Sequence, residues 1–233
     1  MYFRNLVLSA FVTAIVAGLV FSCYQFFFIT PILLSSEIYE ILEPINHQIV
    51  TWSPTDGMER NSWSFVTNFL LCFAYALILV SAMSIEGSVN TIKGFYWGLA
   101  AFIALFVSPA LGLPPEIPGM EASQLENRQS WWIMTVIVSI IALWLMVYQR
   151  KLYKALGLLL MVMPHIIGAP QPEVHGFVNT DPQAIKELTD LWHQFIVHTT
   201  IANALMWIAI GTASGFLTNK FISPLDALEE NNS

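Results

Sequence analysis

The sequence predicts an all-α polytopic membrane helix bundle, and three observations carry that prediction. Charged residues make up 11% of the chain and hydrophobic ones 56%, where a soluble domain carries about 25% charged residues. That much apolar surface exceeds what a core of this length can enclose, so the surplus has to face lipid. The apolar residues also fall into six runs close to the roughly 20 residues a spanning helix needs. Finally, Lys and Arg are shared unevenly among the connections, as membrane topology requires. The expected architecture is one transmembrane domain over residues 1–233. It has six spans, with five as the alternative, paired into three helical hairpins.

The first run, Leu6 to Ile29, follows a basic Arg4, and VFSC at 20–23 has the look of a lipoprotein cleavage box. Phe21 stands where cleavage wants a small residue, and the run continues through Phe26, Phe27 and Phe28. It reads as a retained anchor. The second run is Ser64 to Ser84, the third Gly94 to Leu111 and the fourth Trp131 to Tyr148. The fifth, Leu152 to Ile167, is short, at about 24 Å by helical rise. The sixth is Phe195 to Leu217. Pro31, Pro109 and Pro164 are expected to end the three outward runs. Long connections fall at about 31–63, 112–130 and 168–194, and short ones at about 85–93 and 149–151.

Orientation follows the basic residues. Placing the N-terminus in the cytoplasm puts Arg4, Lys93, Arg150, Lys151, Lys154 and Lys220 inside and only Arg60, Arg128 and Lys186 outside. Trp63, Trp131, Trp132 and Trp192 then open the returning segments at the outer interface. Most acids and all five histidines fall on the outer side. Simple avoidance of Lys and Arg there accounts for the acids; the histidines are less easily explained.

Several chemistries are excluded. There is no Gly-Lys-Ser/Thr phosphate loop and no HExxH or multi-histidine hydroxylase box, so no enzyme is expected. No basic patch points to nucleic acid. Cys23 and Cys72 lie inside apolar runs and make no metal knuckle. Within the membrane, Gln25, Asn68 and Asn203 are not ionisable and read as interhelical hydrogen-bonding groups.

Three outer regions could hold a cation. In MPHIIGAPQPEVHG, residues 163–176, Pro170 and Pro172 stiffen the chain. His165 sits near the membrane surface, and Glu173 and His175 project from a rigid loop. Imidazole with carboxylate suits a borderline transition metal; a packing loop with backbone-bonded histidines is the plain alternative. Asp181-Pro182 reads as a helix start. A helix from Pro182 to Leu217, about 54 Å long, stands partly outside the ~30 Å hydrocarbon. It puts Glu187, Asp190, Gln194 and His198 on one face and His193 off it; a solvated helix start explains the same pattern. Glu37 and Glu40 are three apart in SSEIYEILEPINH, residues 35–47, where acids equally favour a helix start.

ITPILLSSEIYE at 29–40, PHIIGAPQPEVHG at 164–176 and NALMWIAIGTASGFL at 203–217 together resemble the CbtA family of predicted cobalt transporter subunits. PHxIGAPxPExH is the most specific of these; residues 50–150 match mainly in hydropathy. The resemblance implies cobalt uptake across a bacterial inner membrane, linked to cobalamin synthesis. It also implies a partner, the small single-span CbtB protein with a histidine-rich tail. The family is described with five spans, against the six counted here.

The expected function is therefore a permease subunit admitting a divalent transition-metal ion, cobalt first and nickel second, with no tightly bound cofactor. His165, Glu173 and His175 would capture the ion at the outer face, helped by Glu37, Glu40, Glu187, Asp190, His193 and His198. A non-transporting scaffold or metal-sensing partner, and an intramembrane metalloenzyme, are the other readings.

Overall fold

The computed structural model describes residues 2–39, 52, 54–87, 89–172 and 176–222. These residues are helical almost throughout, as the composition predicts. The helices are α1 (Tyr2–Tyr24), α2 (Thr30–Glu37), α3 (Met58–Glu86), α4 (Thr91–Phe102), α5 (Ser108–Ala110), α6 (Leu125–Tyr148), α7 (Lys151–Ile167) and α8 (Pro182–Phe221). A five-residue π-helical turn joins α1 to α2 at Gln25–Ile29, and another joins α4 to α5 at Ile103–Val107.

Of the two π turns, the first corrects the expectation that Pro31 ends its helix, while the second carries its helix only to Ala110, one residue past Pro109. Each is followed directly by Ser/Thr-Pro: Thr30-Pro31 and Ser108-Pro109. Proline has no N–H and its ring clashes with the carbonyl four residues back. Widening the preceding turn by one residue moves that carbonyl away, and the helix continues. The first outward helix therefore reaches Glu37 rather than stopping at Pro31, so residues 31–37 of the expected loop are helix. Pro164 also lies inside its helix, which ends only at Gly168, with φ of 87°.

The chain forms two compact units. The first holds Met1–Phe26, Val50–Ala100 and Ala202–Ser233, and the second Phe27–Ile49 and Ala101–Ile201.

In the first unit α1 packs against α3. The packed face of α1 is small: Ser9, Ala10, Thr13, Ala14, Ala17 and Gly18 are buried, at helical spacing. A Cβ at Gly18 would lie 3.3 Å from the Phe69 Cα. Between lipid-immersed helices there is little hydrophobic drive, so close backbone approach through small residues supplies the attraction. Phe11 meets Phe69 and Phe73 edge-on at 5.5 and 6.1 Å. Gly94 and Gly98 of α4 pack on Gly211 and Gly215 of α8, with no side chain between the backbones. Trp207 fills the space beside Tyr75, ring centroids 4.6 Å apart. The short connection after α3 is closed by Glu86, which accepts from Trp97 Nε1 at 2.7 Å and pairs with Lys93 at 3.8 Å. Cys23 and Cys72 are free thiols.

One buried amide cluster occupies the apolar level of this unit. Asn68 Nδ2 donates to Gln25 Oε1 at 2.6 Å and to Ser22 Oγ at 3.1 Å, the interhelical use the sequence suggested. Such bonds average about 0.6 kcal/mol and reach roughly 1.7. Asn68→Ala is expected to lower stability by about 1 kcal/mol, read as the urea midpoint in mild detergent, with the helical content unchanged.

In the second unit α6 packs against the π turn and α5 on one side and against α7 on the other. Gly157 of α7 sits on the Ala142 carbonyl and Leu145 of α6, and His165 meets Trp131 near the opposite end. α7 thus retraces α6 in the reverse direction from Leu145 to Trp131, about 21 Å by helical rise.

That observation bears on the number of spans. Among the described residues five helices are long and apolar enough to cross a membrane, counting Tyr2–Glu37 and Thr91–Ala110 as one each. The 17-residue α7 is too short for that measure. However, Asn5 Nδ2 donates to the Phe221 carbonyl at 3.0 Å, so the start of α1 and the end of α8 lie together. α7, packed along α6, is the segment expected as the short fifth of six runs, and it falls short of a span by length. Large apolar side chains face outward throughout: Ile78 is 66% exposed and Ile137 52%, the reverse of a soluble bundle.

Candidate functional site

The segments expected on the outer side converge in the second unit. Gly119, with φ of 82°, turns the 112–124 connection so that it pairs with the stretch after the proline-rich loop. Glu121 N donates to Gly176 O at 3.1 Å and Val178 N to Gly119 O at 2.9 Å, around a Met120–Phe177 bridge. Ser123 Oγ donates to Pro170 O at 3.0 Å. Asn179 Nδ2 donates to Tyr39 O at 3.1 Å, tying in the segment after α2. Trp192 Nε1 donates to Pro115 O at 2.8 Å, tying in the first turns of α8. Arg128 and Glu116 add an ion pair at 2.7 Å.

The predicted site residues divide into three groups. Glu40, Glu173 and His175, with His47, lie outside the described residues. His165 is half-buried in the last turn of α7, its ring edge-on to Trp131 at 6.0 Å. Glu37 ends α2 and is half-buried. The α8 stripe exists as expected: the helix starts at Pro182, Asp181 Oδ1 accepts from Gln183 N at 3.3 Å, and Glu187, Asp190 and Gln194 are exposed. His198 is half-buried and stacks on Phe28 at 5.4 Å, with 12° between the planes. His193 is exposed and stacks on Trp192. Among the described residues no three His, Cys, Asp or Glu side chains gather into a group able to hold a metal ion.

Two features were not foreseen. Trp131, expected in an interfacial aromatic belt, is 6% exposed and packs against Gly112 and His165. With it on the buried face of α6 lie Thr135 and Ser139, and Ser139 Oγ donates to Ser108 Oγ at 2.8 Å. Trp131 Nε1 and Thr135 Oγ1 are buried and have no hydrogen-bond partner among the described residues, a state that costs about 1–3 kcal/mol per group. The four-residue spacing in WWIMTVIVSI was the available sign, hidden by its apolar neighbours. A cavity of about 600 Å³ adjoins this region, lined by Leu105, Phe106, Pro109, Arg128, Trp132 and Ile133 among others.

A bundle of apolar helices with outward-facing aliphatic side chains and one hydrogen-bonded cluster of polar loops defines a multi-pass helical membrane protein. The sequence model of the family described as "Probable cobalt transporter subunit (CbtA)" matches residues 3–219. The chain belongs to the CbtA family, which gives it a role in metal-ion transport as one subunit of a transporter. No curated protein and no solved structure matches it.

Proposed function

We propose that this chain is the permease subunit for uptake of Co²⁺, with Ni²⁺ the alternative cargo, across a bacterial inner membrane, supplying cobalamin synthesis. Its N-terminus lies in the cytoplasm, where the Arg150/Lys151/Lys154 cluster favours it. The loop cluster is then the outer entrance. His165, Glu173 and His175 take the ion, and Glu37, Glu40, Glu187, Asp190, His193 and His198 draw cations toward it by long-range attraction. A small single-span CbtB-like protein is the partner subunit. The membrane potential favours inward movement of a divalent ion by roughly 4.6 kcal/mol per 100 mV.

The observation that supports this reading is the joining of the three outer segments. Pro170 and Gly176, on either side of Glu173 and His175, are both bonded to the 119–123 connection, and His165 lies one short loop away. The test is cobalt uptake by cells expressing the chain with its single-span partner. His165→Ala is expected to lower uptake at least about tenfold at equal protein level. Normal uptake by that variant would remove the entrance. Partner binding without any uptake would favour a scaffold instead, and turnover of a lipid or small molecule an enzyme.

A further inference from the structure

The buried face of α6 in the second unit is polar where its surroundings are apolar. Trp131, Thr135 and Ser139 follow one another at four-residue spacing and are all buried, Thr135 completely. Ser108 faces them from the helix start after the π turn, with its Oγ accepting from Ser139 Oγ. The π turn adds a backbone oxygen. Ser108 N–H closes on Ile103 O, and Pro109 has no N–H, so the buried Ala104 carbonyl lacks both amides that would ordinarily reach it within its helix. On the far side His165 lies against Trp131.

Two of these groups, the Trp131 indole N–H and the Thr135 hydroxyl, have no hydrogen-bond partner among the described residues. One is a donor only and the other both donor and acceptor. They are a helix turn apart on one face of α6. Buried polar groups in native proteins are almost always bonded, by protein or by water. A buried polar group without a protein partner calls for water or an ion beside it.

We propose that this face is the wall of a narrow hydrated seam, running from His165 past Trp131 and Thr135 to the Ser108–Ser139 pair, and that a divalent cation travels it with part of its water shell. Eight residues of α6 separate Trp131 from Ser139, about 12 Å, so from an interfacial Trp131 the seam reaches nearly half-way through a ~30 Å hydrocarbon layer. Its oxygens are neutral hydroxyls and a carbonyl. They replace lost hydration without holding the ion tightly, which conduction needs, while selection for a transition metal stays with His165 at the mouth. The cargo rests on the transport reading above; the water does not.

The test uses the full chain in membrane vesicles, with Cys23→Ala and Cys72→Ala as background. Thr135→Cys and Ser139→Cys are compared with Ile137→Cys, which lies on the outward face of the same helix. Only a thiolate reacts with a hydrophilic methanethiosulfonate, and a thiolate forms only in water. The two seam positions are expected to react at least about tenfold faster than position 137, and saturating CoCl₂ is expected to slow them by a similar factor. Reaction no faster than at position 137 would overturn the seam. Fast reaction unaffected by cobalt would overturn the cation path. Thr135→Val, which loses no bond, is expected to melt with the parent chain and to lower cobalt uptake about tenfold; unchanged uptake counts against the path. If His165→Ala transports normally, the entrance fails, while the thiol rates still decide the seam.

Discussion

Gly98→Leu is expected to leave no folded, monodisperse protein when the solubilised chain is run on a size-exclusion column. The reason is the crossing of α4 and α8 in the first unit. Gly94 and Gly98 are four apart, as are Gly211 and Gly215, and the two pairs interlock. A Cβ at Gly98 overlaps the Trp207 carbonyl oxygen and lies 3.1 Å from the Gly211 Cα. A Cβ at Gly211 comes within 2.7 Å of the Gly98 Cα and N. These are backbone atoms of two rigid helices and cannot turn aside as a side chain would. Even Ala must push the helices apart, and overpacking in a well-filled core costs about 1–3 kcal/mol. Leu separates the backbones along the whole crossing, so the loss exceeds that range. Gly98→Ala is the graded control: it is expected to fold with a visibly lowered melting temperature. A Gly98→Leu protein as stable as the parent would mean that the two helices do not cross here.

Gly157→Val is expected to detach α7 from α6. Its Cβ would lie 2.7 Å from the Ala142 carbonyl oxygen, 2.9 Å from Met146 Cγ and 3.3 Å from Leu145 Cβ. Met146 can rotate away; the carbonyl cannot. Gly157 and Pro164 are the fully buried residues of α7; Leu160, Met161 and Met163 are half-buried and most of its other large side chains face outward, so the close contact at Gly157 is a main part of what holds it. The expected losses are about 2 kcal/mol of stability and the contact between His165 and Trp131. The measurement is cross-linking of cysteines placed at positions 131 and 165 by a bifunctional thiol reagent with a spacer of about 10 Å, which should succeed in the parent chain and fail in the variant, since the two rings meet at 6.0 Å and a direct disulfide needs closer backbones. Cross-linking in the variant would show that α7 is held from elsewhere.

Much of this architecture was legible in the sequence because the relevant physics is local. The apolar runs fell where the helices are, and Asp181-Pro182 marked the start of α8 to the residue. Asn68 and Gln25 were legible as interhelical partners because an amide at that depth has few other ways to be satisfied. Pro31 was misleading, whereas the helix carrying Pro109 does stop one residue beyond it. Proline forbids the normal turn, but it does not forbid a wider one, and the choice depends on what the continuing helix packs against.

The candidate site was less legible. His165 and the α8 stripe were found by chemistry and periodicity, and the stripe has the expected faces. The polar face of α6 was missed, as was the burial of Trp131. In a soluble helix the buried face is the apolar one, so periodicity reveals it. In a lipid-immersed helix both faces are apolar, and the buried one is marked only by smaller or more polar residues. Thr135 and Ser139 among Ile, Val and Met give little contrast.

By itself, the sequence determined that this chain is a multi-pass helical bundle and where its helices run, because the transfer of apolar runs into lipid depends on composition alone. Its stretches at 29–40, 164–176 and 203–217 also carried the family. Only the tertiary structure decided which faces meet. It interlocked Gly94 and Gly98 with Gly211 and Gly215, brought Asn5 to Phe221, and tied Tyr39, the 115–123 connection and the residues at 170 and 176–179 together. Those outcomes turn on backbone approach and hydrogen-bond geometry between residues far apart in the chain, which no local pattern encodes.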